Sequence, residues 1–119
     1  MDNREIIAIL SALAQPTRLE VFRSLVAGEP EGLAAGELAR RLDAPHNTMS
    51  SHLAILSRAG LITSERHSRN IIYRADLGVF REAMLYLLKD CCAGKPDICA
   101  PLIADLIPCC NQTEARHAG

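Results

Sequence analysis

The sequence predicts a mostly α-helical chain with a β-hairpin wing, a winged helix-turn-helix that works as a dimer. Three observations predict it. Two short helical patterns meet at a tight turn over residues 43–46, and the second, from Ala44 to Gly60, is polar in front and apolar behind. A hairpin pattern with arginine at its tip follows directly. A helix apolar on two sides comes next, over residues 77–90, which calls for a partner beyond its own domain.

In chain order, residues 4–14 read as a first helix with Ile6, Ile7, Leu10 and Leu13 on one side. Pro16 suits the first turn of a second helix, to about Val26, with a core stripe of Leu19, Phe22, Leu25 and Val26. Gly28, Pro30 and Gly32 break the chain. A third helix is expected from Ala34 to Leu42, with Leu38, Ala39 and Leu42 inward. In the fourth, Asn47 is the expected N-cap and Gly60 the glycine just past the C-terminus. Met49, Leu53 and Leu56 recur at helical spacing and face the core. The opposite side carries Asn47, Thr48, Ser50, Ser51, His52 and Arg58, small polar groups suited to phosphates and base edges in a DNA major groove. The plainer alternative is a solvated helix face.

Leu61–Arg66 and Asn70–Arg74 are rich in β-branched and aromatic residues and flank the turn His67-Ser68-Arg69. A hairpin in this place can reach the DNA backbone or minor groove, with Arg66 and Arg69 as its contacts. A hairpin that only closes the core would not need Arg66, Arg69 and Arg74 together. Asp76 is the expected N-cap of a fifth helix reaching Asp90. Leu77, Phe80, Met84 and Leu87 follow the 3–4–3 spacing of a helix–helix seam, while Leu85 and Leu88 make a second face apolar. Gly94 and Pro96 end that helix, a short terminal helix is expected over 97–108, and 111–119 read as a disordered tail. Residues 1–110 are thus expected to be one DNA-binding domain that also carries dimerisation helices and a cysteine segment.

Composition agrees. In 119 residues, 49 % are apolar, yet there are only two Phe, two Tyr and no Trp, so the core must be aliphatic. The net charge of −1 excludes a generally basic coat. The charge is segregated, however. Arg40, Arg41, Arg58, Arg66, Arg69 and Arg74 stand against Asp43 and Glu65, a local +4 on an otherwise acidic chain. That is the footprint of a local phosphate-binding surface, or else a chance cluster. No apolar run approaches the roughly 18–20 residues that span a bilayer, and the start Met-Asp-Asn-Arg-Glu lacks an export signal. A cytoplasmic protein with reduced thiols and no membrane partner is expected.

Ala12-Leu-Ala-Gln-Pro-Thr-Arg-Leu19, Ser50-Ser-His-Leu-Ala-Ile-Leu56, Ala59-Gly-Leu-Ile62 and Tyr73 together resemble the ArsR/SmtB family over about residues 5–90. These are dimeric winged-helix repressors that leave their operator when a metal or metalloid binds. The resemblance implies a palindromic operator and a homodimer formed by the first and last helices, through Ile6, Leu10, Leu13, Leu77, Phe80, Met84 and Leu87. The chain departs from the family in three places. Many members carry an E-L-C-V-C-D-L type of sequence in the third helix, where this chain has Glu37-Leu-Ala-Arg-Arg-Leu-Asp43. The fifth helix lacks the acid-and-histidine set of the zinc-sensing members. Ser68 stands where many members have glycine.

All five cysteines lie between Cys91 and Cys110. Thiolates are soft ligands and select soft ions. Three of them without a fourth ligand suit As(III) or Sb(III), whereas structural zinc wants four. Asp90 and Asp97 are hard ligands, and His117 lies in the expected tail. Gly94-Lys95-Pro96 can turn the chain so that Cys99 returns over Cys91-Cys92. This arrangement resembles the site of arsenite-responsive members, with Cys91, Cys92 and Cys99 as ligands. Cys109-Cys110 could bind a second ion, hand ions over, or do nothing. Zinc or cadmium sensing, thiol oxidation and plain burial stay open beside it. An enzyme is not expected, since a cysteine chemistry of that kind would need a phosphate-cradling loop or a C-x-x-C near a βαβ unit. A winged-helix adaptor that binds protein rather than DNA does not account for the Arg-rich wing.

Overall fold

The structure is a computed structural model that describes residues 1–89. Within them run α1 (Asn3–Leu13), α2 (Pro16–Ala27), β1 (Leu33–Ala34), α3 (Ala35–Leu42), α4 (His46–Arg58), β2 (Ile62–His67), β3 (Asn70–Ala75) and α5 (Leu77–Lys89). Met1–Ala83 form one compact unit, and the last turns of α5, from Met84, begin a second. The terminal helix expected over 97–108 and the tail over 111–119 lie outside the described residues.

Helix starts follow local chemistry. Asp2 and Glu5 close a reciprocal capping box on α1, with Glu5 N donating to Asp2 Oδ1 at 2.9 Å and Asp2 N to Glu5 Oε1 at 3.0 Å. Pro16 occupies the first position of α2, where its missing N–H costs nothing, and Gln15 Oε1 caps Arg18 N at 2.7 Å. Asp76 Oδ1 accepts from Val79 N at 3.2 Å, the cap expected for α5. Helix α4 ends at Ala59 in a two-bond lock, Leu61 N to Leu56 O at 3.1 Å and Gly60 N to Ser57 O at 3.0 Å. Gly60 at φ +84° makes that turn possible.

The core is aliphatic: Ile9, Val21, Leu25, Leu38, Met49, Leu53, Leu56 and Leu61 are its largest fully buried side chains. Phe22 packs against Phe80 with ring centroids 5.3 Å apart and ring planes tilted by 40°. Two stripes differ from expectation. On α2 the inward residues are Val21, Phe22 and Leu25, while Leu19 and Val26 are 42 % and 40 % exposed. On α1, Ile6, Ile9 and Ala12 are buried, and Ile7 and Leu10 point outward. The apolar residues of both helices cover more than one face, so periodicity alone does not choose the inward one.

The sheet is antiparallel with order β1-β3-β2. Strand β1 is only two residues, the second of which, Ala34, reads from sequence as the start of the third helix; it pairs Leu33 with Tyr73 and Ala34 with Ile72. Gly32, at φ +80°, lets the loop before it pass close to β3: a Cβ there would lie 2.6 Å from Tyr73 O and from Arg74 Cγ. Against expectation, β2 runs one residue later at both ends, Ile62–His67, and β3 starts at Asn70 as expected and runs one residue further, to Ala75. The terminal pairs are Ile62 with Ala75 and His67 with Asn70, which leaves a two-residue tip.

Candidate nucleic-acid interface

Helices α3 and α4 meet through Asp43-Ala44-Pro45, with Asp43 in the left-handed region at φ 52° and Ala44 N bonded to Ala39 O at 3.0 Å. The cap of α4 lies two residues before the expected Asn47. Pro45, at φ −61° and ψ 150°, is the N-cap residue, so helical backbone begins at His46. Asn47 therefore lies inside the first turn, and its Oδ1 accepts from Thr48 N at 2.9 Å. A proline ring carries no capping oxygen, and no side chain caps this helix from the N-cap position. Amides at its front stay available to an anion.

His46, Asn47, Thr48, Ser50, Ser51 and Arg58 are all exposed on α4, while Met49, Leu53 and Leu56 hold the opposite stripe in the core. Ser51 Oγ donates to Asn47 O at 3.3 Å, which leaves its oxygen to accept. His46 extends the polar front by one residue that the sequence reading leaves out, because it places 46 in the turn. His52 is half-buried, and its Nδ1 lies 3.4 Å from Nη1 of Arg18 on α2. Periodicity carries no signal for a pair 34 residues apart in sequence.

Around the helix, the six arginines divide into two groups. Arg40 and Arg41 both bond Glu37, the latter with Nε 2.6 Å from Oε2. Those bonds, Arg40's first, hold the Glu37 carboxyl below the usual carboxylate range. Arg74 grips Glu29 with two bonds, at 3.0 and 3.3 Å, which raise its own affinity for the proton. Arg74, grouped from sequence with the wing arginines, is thus a tie between β3 and the segment after α2. Arg58, Arg66 and Arg69 are exposed and have no carboxylate partner among the described residues. The wing's acid, Glu65, instead meets His67 Nε2 at 3.2 Å. Arg66 pairs across the hairpin with Ile71, and Arg69 lies in the two-residue tip between His67 and Asn70. The free positive charge flanks the polar face of α4, at its C-terminus and on the wing.

The residues expected at a dimer seam are split. Ile6 is 4 % exposed in the core of its own protomer, which corrects its assignment to an interface. Leu10, beside Ile7, is outward at 42 % and 63 % exposure. Leu13 is half-buried, Leu77 and Leu87 are exposed, Met84 is half-buried, and Phe80 spends part of its ring on Phe22. Cys91, Cys92, Cys99, Cys109 and Cys110 lie outside the described residues. Among the described residues, no three His, Cys, Asp or Glu side chains gather into a metal-binding group, and no helix is long and apolar enough to cross a membrane.

A family described as "Helix-turn-helix domain" matches residues 13–65. The biofilm growth-associated repressor of Agrobacterium fabrum is 36 % identical over 70 residues, 59 % of this chain and 57 % of that protein. Among solved structures, an ArsR-like transcriptional regulator from Rhodococcus sp. RHA1 superposes with a TM-score of 0.69 at 26 % identity, covering 82 % of this chain and 89 % of that one. Reduced HlyU from Vibrio cholerae N16961 is 30 % identical, with a TM-score of 0.57 over 71 % of this chain and 85 % of that chain. The chain belongs to the ArsR/SmtB family. It spans 47–65 % of the length of these curated relatives.

The family is one of winged helix-turn-helix transcriptional regulators rather than enzymes. Its motif positions fall on joints of the fold. Ala12–Leu19 is the α1–α2 corner, Ser50–Leu56 is the body of α4, and Ala59–Ile62 is the locked turn into β2. Tyr73 sits in mid-sheet between Leu33 and Ser64. Helix α3, where many ArsR/SmtB members carry thiols, is occupied here by the Glu37–Arg40–Arg41 clamp.

Proposed function

We propose that the protein is a repressor that binds operator DNA as a homodimer and leaves it when As(III) or Sb(III) binds Cys91, Cys92 and Cys99. Thr48, Ser50 and Ser51 face the groove, with Asn47 and His52 beside them. Arg58, Arg66 and Arg69 hold the backbone. The two recognition helices enter successive major grooves about 34 Å apart. The observation that carries the effector is the segregation of every thiol to residues 91–110, with a vicinal pair followed by a third cysteine. Three soft thiolates satisfy a trigonal metalloid and leave a harder tetrahedral ion short of a ligand. Coupling runs both ways: if the ion weakens DNA binding, DNA weakens ion binding by the same factor.

A second reading is thiol oxidation. Vicinal cysteines favour it, as does likeness to HlyU, solved in a form designated reduced. One experiment separates the two. An operator is selected by the protein from a random duplex pool, and its release is followed by fluorescence anisotropy in the phosphine reductant TCEP. Arsenite is expected to release DNA from the parent. Cys91→Ser, Cys92→Ser and Cys99→Ser are each expected to keep DNA affinity and lose release, with a smaller effect for Cys109→Ser/Cys110→Ser. No release by arsenite in TCEP, together with release by peroxide in TCEP-free buffer that added TCEP reverses, would replace the metalloid with an oxidant. Full arsenite response in all three single variants would remove the site.

A further inference from the structure

One guanidinium ties three helices together. Arg18 Nε donates to Ala12 O, in the last turn of α1, at 2.7 Å. That carbonyl is one of those a helix end leaves without an internal partner. The Arg18 amide is itself capped by Gln15 in the first turn of α2. Its Nη1 then reaches across to Nδ1 of His52 on the recognition helix, at 3.4 Å. Arg18 is half-buried, and among the described residues no carboxylate pairs with it. A lock on the α1–α2 corner needs only the Nε contact. The Nη1 contact has another consequence.

Arginine offers donors and no acceptor. Where its N–H meets an imidazole nitrogen, that nitrogen must present a lone pair. The proton of the neutral ring is then on the other nitrogen. We propose that Arg18 is a positioning residue that fixes His52 as the Nε2–H tautomer, so that the recognition helix offers a single N–H donor at this position. Such a donor suits an acceptor on a purine edge, N7 or O6, or a phosphate oxygen, and discriminates against the cytosine and adenine amino groups. This rests on the DNA-binding role of α4 proposed above. It adds the chemistry that His52 recognises and the residue that sets it. It also connects α1, which carries the outward pair Ile7 and Leu10, to a base-reading side chain through one side chain.

The test uses the full chain in two measurements. Long-range proton–nitrogen spectra of the imidazoles, recorded without DNA, are expected to show His52 in the Nε2–H form in the parent and in Arg18→Lys. In Arg18→Met a mixture of both tautomers is expected. A mixed or Nδ1–H ring in the parent overturns the proposal whatever the variants do, as does a ring unchanged in a folded Arg18→Met. With the selected operator against random duplex, His52→Ala and Arg18→Met are each expected to lose roughly tenfold in discrimination, the scale of one base contact. The double variant should lose no more than either single one. Additive losses would make Arg18 a structural lock only and overturn the proposal. If His52→Ala discriminates like the parent, it is the DNA role of His52 that fails, and the spectra still decide the tautomer.

Discussion

A serine holds the tip of the wing in the left-handed region, at φ 57°. A side chain there sets Cβ against the following carbonyl, at a cost of roughly 1–2 kcal/mol that glycine avoids. Glycine also loses more entropy on folding, which offsets part of the gain. Ser68→Gly is therefore expected to stabilise the fold by up to about 1 kcal/mol, read as a higher urea midpoint with an unchanged slope. A lower midpoint would mean that the serine hydroxyl supports the turn. The departure at Ser68 is legible in the sequence, and its backbone consequence is not, because a hairpin pattern fixes the strands before it fixes the turn. Asn47 shows the opposite limit. Capping chemistry makes it the N-cap, but Pro45 already supplies the extended φ and ψ of the cap, so the helix starts two residues earlier and Asn47 falls inside its first turn. Arg18 shows a third limit, since its partners come from α1 and α4 and no local pattern holds both.

At the scale of the element, the wing turns charge into two separate jobs. Arg69 is exposed at the tip, whereas Arg74 is spent on Glu29 at the base of β3. Arg69→Ala is expected to weaken operator and random DNA alike and to reduce the salt dependence by about one unit of log–log slope per phosphate lost. Arg74→Ala is expected to leave that slope unchanged and instead to lower the melting temperature, because it strands a half-buried Glu29. Equal salt slopes for the parent and Arg69→Ala would take the wing off the DNA. The long elements with a single apolar stripe, α4 above all, were legible from spacing alone. Strand β1 was not. Two residues make no period, and it exists because β3 offers an edge and Gly32 lets the chain approach it. The stripe of α2 was half legible, because Leu19 and Val26 look as apolar as Val21 until the neighbouring helices are placed.

For the whole molecule, the question is what covers the outer face of α1. That helix carries two apolar sets: Ile6, Ile9 and Ala12 enter the core, and Ile7 and Leu10 point away from it. An exposed isoleucine and leucine three residues apart form a ridge that can seat against a second copy. The resemblance to the ArsR/SmtB family implies that α1 is a dimer helix, but its apolar pattern does not divide the residues between the protomer core and a partner. The division predicts two different failures. Leu10→Glu puts a charge on the outer ridge, where burial without a partner is costly, and is expected to shift sedimentation from dimer to monomer with helix content retained. Ile6→Ala empties part of the protomer core and is expected to lower stability by about 2–4 kcal/mol, on the scale of other buried Ile truncations, while the folded fraction still sediments as a dimer. Operator binding should fail in Leu10→Glu, because two half-sites a helical turn apart need two linked heads. A Leu10→Glu protein that stays dimeric and binds its operator would place the interface elsewhere, with α1 serving only its own protomer.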